Sequence, residues 1–452
     1  MGSLAFLWLH TLVVGQDNNQ DESRPLQLPA QKYPDVDDAI LLFKRGNAAA
    51  ALTLLQAASK KHPEISPPEV MLARLCFASQ QLKAGKNALQ SAVILHREDP
   101  EAWSLLGDLQ FKATNWAEAE LLFEKAVGLA RNYTGISTRK KAQIQLAFNG
   151  LIKSYEVRGL WQLAESNLLQ WRTFDPKNVN LLRRLAIAQL NIDKIKEATK
   201  TLQAVKVLDP GQLPANVSLG LYHQRKGDSD QARQAMNSAL RENSQSAATQ
   251  IAVGRWALST GDTELARSCA KASESLQKDP MVPQLLLASA ELLDGQPEKA
   301  EAIYREVYRA HPGNFETVAG LALSLLKQSE EKKWVQGLEH MKVIANTNKD
   351  LRTTRGRQAV ALLAWALFRN GNIEQADQLM QGIITSGELS PEMAYYAAAI
   401  FKAKNRPDAA RQLLTRAIQS QLAFVHRTEA KRLLESMKNG EPTENQKPTG
   451  KK

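Results

Sequence analysis

Apolar positions along most of the chain fall at helical spacing, in paired runs separated by short polar breaks. The pairs repeat. Between Asn149 and Pro312, alanines stand at Ala164, Ala198, Ala232, Ala266 and Ala300, each 34 residues after the last. In the run before each break an apolar residue precedes a small one: Leu185-Ala186, Leu219-Gly220, Val253-Gly254, Leu287-Ala288. A glycine often separates the two runs (Gly159, Gly227, Gly261, Gly295), and a proline often closes the unit (Pro176, Pro210, Pro312). The pattern predicts two short amphipathic helices and a tight turn. Glycine takes the positive φ such a turn needs. The small residue and the alanine let two backbones approach closely. Proline, without an N–H, ends the second helix. One such hairpin cannot bury its own apolar face, so a fixed period predicts a stack: an all-α solenoid. No long Val/Ile/Thr alternation occurs, so no sheet is expected.

The clearest unit, residues 99–130, carries Trp103, Leu106-Gly107, Ala119, Phe123 and Ala126. It resembles the tetratricopeptide repeat, whose pattern is Trp, Leu-Gly, Tyr, Ala, Phe, Ala and Pro. Gln110 stands at the tyrosine and Arg131 at the proline. The resemblance implies a right-handed α-solenoid of about eleven helix-turn-helix repeats over residues 35–437, closed by a capping helix near 424–437. A longer connection, 130–141, precedes the fourth unit. An insertion, SEEKKW, distorts the ninth, residues 314–347, where Gly337 stands near the alanine position.

The ends read differently. Residues 4–14 form an apolar run broken only by His10 and Thr11, with small residues Val13 and Gly15 ahead of polar Gln16. This predicts a signal peptide over residues 1–15 and an exported, periplasmic or secreted protein. No Lys or Arg precedes the run, so an uncleaved apolar tail on a cytoplasmic protein is the alternative. The run is too short for a membrane anchor, and no transmembrane span is expected in the mature chain. Residues 16–34 read as a polar linker and 438–452 as a disordered tail.

Charge adds one feature. The chain carries +11 overall, and residues 131–210 alone carry +8, from 14 basic and 6 acidic side chains. Arg139, Lys140, Lys141, Arg183 and Arg184 make a candidate basic patch for an acidic polymer such as an exopolysaccharide. That alternative is similar to the repeat arrays attached to bacterial exopolysaccharide export systems. Nucleic acid is not expected, since no aromatics interleave with the basic residues and no reading helix is present.

No catalytic constellation is visible. The seven histidines are scattered, and there is no HExxH, no CxxC and no glycine-rich phosphate loop. No metal or cofactor is expected. His62 and His311 precede prolines at second-helix ends, where a basic side chain suits the helix dipole. Cys76 and Cys269 lie five repeats apart, beyond disulfide reach in an extended stack.

In the repeat family the first helices line a groove that holds a partner. Carried onto this chain, the resemblance implies a groove of Asn149, Lys153, Arg183, Ile187, Val217, Leu221, Ile251, Arg255, Leu285, Ser289 and Leu292. The expected function is a non-enzymatic scaffold for a protein or peptide partner. On this phase Leu221→Asp is expected to weaken partner binding and leave folding nearly intact.

Overall fold

The computed structural model describes residues 33–438. Among the described residues there are 23 α-helices and no strand. The first 22 form eleven hairpins, from Pro34–Lys44 with Ala48–Lys61 through to Pro391–Ala403 with Pro407–Gln419. Arg427–Lys438 follows alone. Within each compact unit of the chain, most helices pack chiefly on the hairpin partner and on the neighbouring hairpin, the contact order of an α-solenoid. The expected leader, the linker up to residue 32 and the tail from residue 439 lie outside the described residues.

The described chain divides into two compact units, residues 33–215 and residues 216–438.

The repeat signature does what close packing requires. Ala164, Ala198, Ala232, Ala266 and Ala300 are all fully buried. At Gly107 a Cβ would lie 2.8 Å from the Phe123 ring, so the third hairpin closes only around a glycine. Many first helices begin on a capping side chain: Asn178 accepts from Leu181 N–H, Ser246 from Thr249 N–H and Asn314 from Thr317 N–H.

The turns reveal a period the glycines only partly mark. Gly46, Gly159, Gly227, Gly261, Gly295 and Gly371 have positive φ, and so do Gln80, Thr114, Asp193 and Asn405 at the same point of their hairpins. Backbone geometry therefore repeats in ten of the eleven hairpins, whatever the residue. A β-branched residue is strained there, and Thr114 sits at φ 61°. Thr114→Gly is expected to stabilise the chain by about 0.5–1 kcal/mol, because released strain exceeds the added freedom of the unfolded chain. A rise in denaturation midpoint at constant slope checks this.

The ninth hairpin is the exception. Gly295 and Gly371 lie 76 residues apart, more than two periods. The helix Phe315–Lys327 ends on extended Gln328 instead of a left-handed residue, and Glu331–Thr347 runs to 17 residues. Gly337 is buried, with Leu326 and the Ala322 carbonyl where a side chain would stand. The longer connection before the fourth hairpin is absorbed by a 21-residue helix, Ser137–Val157.

The closing helix starts at Arg427, not near Phe424. Phe424 is instead buried in the core of the last hairpins, and the segment 420–426 makes contacts far back along its unit.

Candidate partner-binding faces

In the unit 33–215, the helix Pro100–Lys112 delivers Glu101 to a charged hub. Glu101 is 2% exposed. It pairs with Arg74, accepts from Ser66 Oγ at 2.9 Å and Gln143 Nε2 at 3.1 Å, and lies 3.3 Å from Arg139. Arg139 also binds Asp99 at 2.5 Å and donates to the Tyr133 hydroxyl at 3.1 Å. Burial pushes the Asp99 carboxyl up, against the pull of Arg139. The hub ties together residues of the second, third and fourth hairpins.

That geometry engages part of the expected basic patch in internal pairs. Arg139 serves the hub and is nearly buried. Arg184 forms a two-pronged pair with Glu156, at 3.0 and 2.9 Å, and donates to Asn149 Oδ1. Lys141 reaches Asp175 at 3.5 Å, and Lys140 is half-buried. Within residues 131–210, Arg139 and Arg158 are matched by carboxylates outside the stretch, Asp99 with Glu101 and Glu120, while Arg184 and Lys141 use Glu156 and Asp175 inside it.

The groove residues of this unit are placed as follows. Asn149 is exposed; Lys153, Arg183 and Ile187 are half-buried. Lys153 Nζ sits 5.7 Å from the centroid of the Phe111 ring, which in turn meets Trp116 edge-on at 5.1 Å. Sequence reading missed Phe111. Its signal was an aromatic residue four positions after Gly107 on a first helix.

In the unit 216–438 the expected groove is mostly closed. Val217 is 1% and Leu221 5% exposed, and Leu285 and Leu292 are also buried. Those four positions are packing residues, which corrects their assignment to a partner surface. Ser289 donates to the Leu285 carbonyl at 2.7 Å and shares a hydrogen bond with Tyr304 at 2.9 Å. Ile251 is half-buried and only Arg255 is exposed.

Part of the cover over this unit is the chain itself. Ala423 N–H donates to the Ser259 carbonyl at 2.8 Å. Val425 packs on the cluster that includes Leu285 and Leu292, and Lys327 donates to its carbonyl at 3.1 Å. Val425 N–H donates to Glu392 at 2.7 Å. His426, 2% exposed, pairs with Glu392 through Nδ1. Its ring stacks on Tyr395 at 4.8 Å and meets Trp365 and Tyr396 edge-on at 5.2 and 5.6 Å. Arg427 holds the segment's bend, donating to the carbonyls of Ile418, Ser420 and Leu422. The sequence did carry a cue: residues 393–401 of Pro391–Ala403 are all buried, and an all-round apolar helix is one covered on every side.

The remaining candidate chemistry is structural. His62 and His311 terminate second helices, their N–H groups bonded to the carbonyls of Ala58 and Val307. Cys76 and Cys269 are buried free thiols, and burial pushes Cys269 up to about 11, far from a reactive thiolate at neutral pH. No helix among the described residues is long and apolar enough to cross a membrane.

Family models for the tetratricopeptide repeat match residues 42–109, 217–281 and 361–422. No curated protein matches the chain. Among solved structures, a tetratricopeptide repeat protein from Parabacteroides merdae is similar at 14% identity and TM-score 0.43, over 58% of this chain and 99% of that one. Yeast Tom70 is similar at 14% identity and TM-score 0.40, over 90% of this chain and 95% of its own. The APC/C hetero-tetramer Cut9-Hcn1 gives 12% identity and TM-score 0.41, over 89% of both chains.

Proposed function

We propose, from the premise that this chain is a tetratricopeptide-repeat protein, that it is a non-enzymatic scaffold holding a partner protein or peptide. The proposed contact face lies on the unit 33–215, at Phe111, Asn149, Lys153, Arg183 and Ile187. One observation carries the choice. These first-helix positions keep accessible surface and set an aromatic ring beside a lysine, whereas four of the seven expected positions in the other unit are buried. An aromatic and cationic side chain together suit an extended partner segment with apolar and acidic groups. Export to the cell envelope or beyond belongs to the same proposal and rests on the apolar run 4–14. A mature N-terminus at Gln16 is the expected processing product.

The test is affinity capture from the source's own extract, with the wild type beside Lys153→Glu, washed at low and high salt. The expected result is a protein partner that survives high salt and binds the variant about tenfold or more weakly. Acidic carbohydrate that elutes with salt and is indifferent to Lys153 would move the function to polymer binding.

A further inference from the structure

We infer that the first-helix face of the unit 216–438 is a second peptide site, and that the chain's own segment 420–426 fills it as a built-in competitor. The occupant it is built for is an extended partner segment with an aromatic side chain and, two residues later, an imidazole or basic one.

The argument starts from how the segment is held. It is not a helix, and its backbone groups are read by the face it crosses: Ala423 N–H by Ser259, Val425 N–H by Glu392, Val425 C=O by Lys327. Such main-chain bonds need no particular side chain, so any extended chain can make them. The face also approaches the segment closely at two turns. A Cβ at Gly261 would lie 3.5 Å from Ala423, and one at Gly227 3.4 Å from Gln421. Side-chain selectivity comes from two places. Phe424 enters the core of the last hairpins, and His426 enters a box of Trp365, Tyr395 and Tyr396 with Glu392 on its edge. Aromatic faces plus a carboxylate make a receptor for a cation, of which imidazole is the weakest representative.

The box is imperfectly satisfied by its present occupant. Trp365 Nε1 and His426 Nε2 are buried there without a hydrogen-bond partner. Each such atom weakens seating of the segment. The segment also belongs to the last turn of the array, followed only by the helix Arg427–Lys438 within the described residues, so its release disturbs no later hairpin. This face is separate from the one proposed around Lys153, and either can fail alone.

The test uses the full chain and a fluorescent peptide of residues 418–428, with Phe424→Ala/His426→Ala as the variant. That variant weakens the internal competitor and leaves the receiving face untouched. The expected result is peptide binding about tenfold or more tighter to the variant than to the wild type, lost again when Glu392→Gln is added. Equal binding to wild type and variant would overturn the inference. Native-state hydrogen exchange on the wild type protects the test against a variant that fails to fold. Ala423 and Val425 amides should exchange through a local opening, faster than those of Ala247–Thr260. Exchange of both sets only at the global rate would show a fixed part of the fold and overturn the inference. A His426-dependent dimer in sedimentation would assign the face to a second copy of the chain and overturn it equally.

Discussion

Glu101→Ala is expected to lower the stability of the unit 33–215 by about 3–5 kcal/mol, the cost of leaving buried charges uncompensated. The magnitude follows from what remains. Arg74 would lose its carboxylate, Arg139 would keep only Asp99, and Gln143 and Ser66 would lose their acceptor. The expected outcome is a local one, because a repeat array is held by neighbouring contacts and need not melt as a whole. Hydrogen exchange should accelerate in Pro68–Ala78, Pro100–Lys112 and Ser137–Val157, with Thr354–Arg369 unaffected. Glu101→Leu separates charge from volume: the larger apolar side chain refills the space and still leaves both arginines short of a partner. Equal stability for wild type and Glu101→Ala would mean that solvent reaches the hub and screens it.

Leu221→Asp is the second large effect, and it reverses the expectation drawn from the repeat phase. The side chain is 5% exposed, so the variant loses a packed leucine and buries a carboxylate. Loss of the leucine alone is worth about 2–5 kcal/mol, and the buried charge adds to it. Circular dichroism should show a melting transition displaced downward, and exchange should rise first in Ala215–Lys226 and its hairpin partner Ser229–Glu242. An unchanged melt with weaker partner binding would put Leu221 back on the surface and restore the groove as first read.

The helical periodicity and the five alanines were enough for the hairpins and their order, and the family resemblance for their number, because each hairpin is a local requirement of packing two helices. The glycines marked six of the ten left-handed turns. Gln80, Thr114, Asp193 and Asn405 were invisible there, since neighbouring packing imposes the conformation against residue preference. The site was less legible. Phase identified which residues lie on first helices, but not which of them another part of the chain would cover.

By itself the sequence determined a helical stack of eleven hairpins, the small residues at each crossing and the anomalous ninth unit. These depend on contacts within a hairpin or to the next one, and a period records such contacts directly. Only the tertiary structure decided that Arg139 and Arg184 are matched by carboxylates, and that Val217, Leu221, Leu285 and Leu292 are interior. It alone also showed that residues 420–426 return to Ser259. The arginine pairs join neighbouring hairpins through side chains outside the repeat signature, 28 residues apart for Arg184 and Glu156 and 40 for Arg139 and Asp99, while Ala423 and Ser259 meet across more than a hundred residues. A one-dimensional pattern carries no signal for a contact whose two halves belong to different repeats and obey no common spacing.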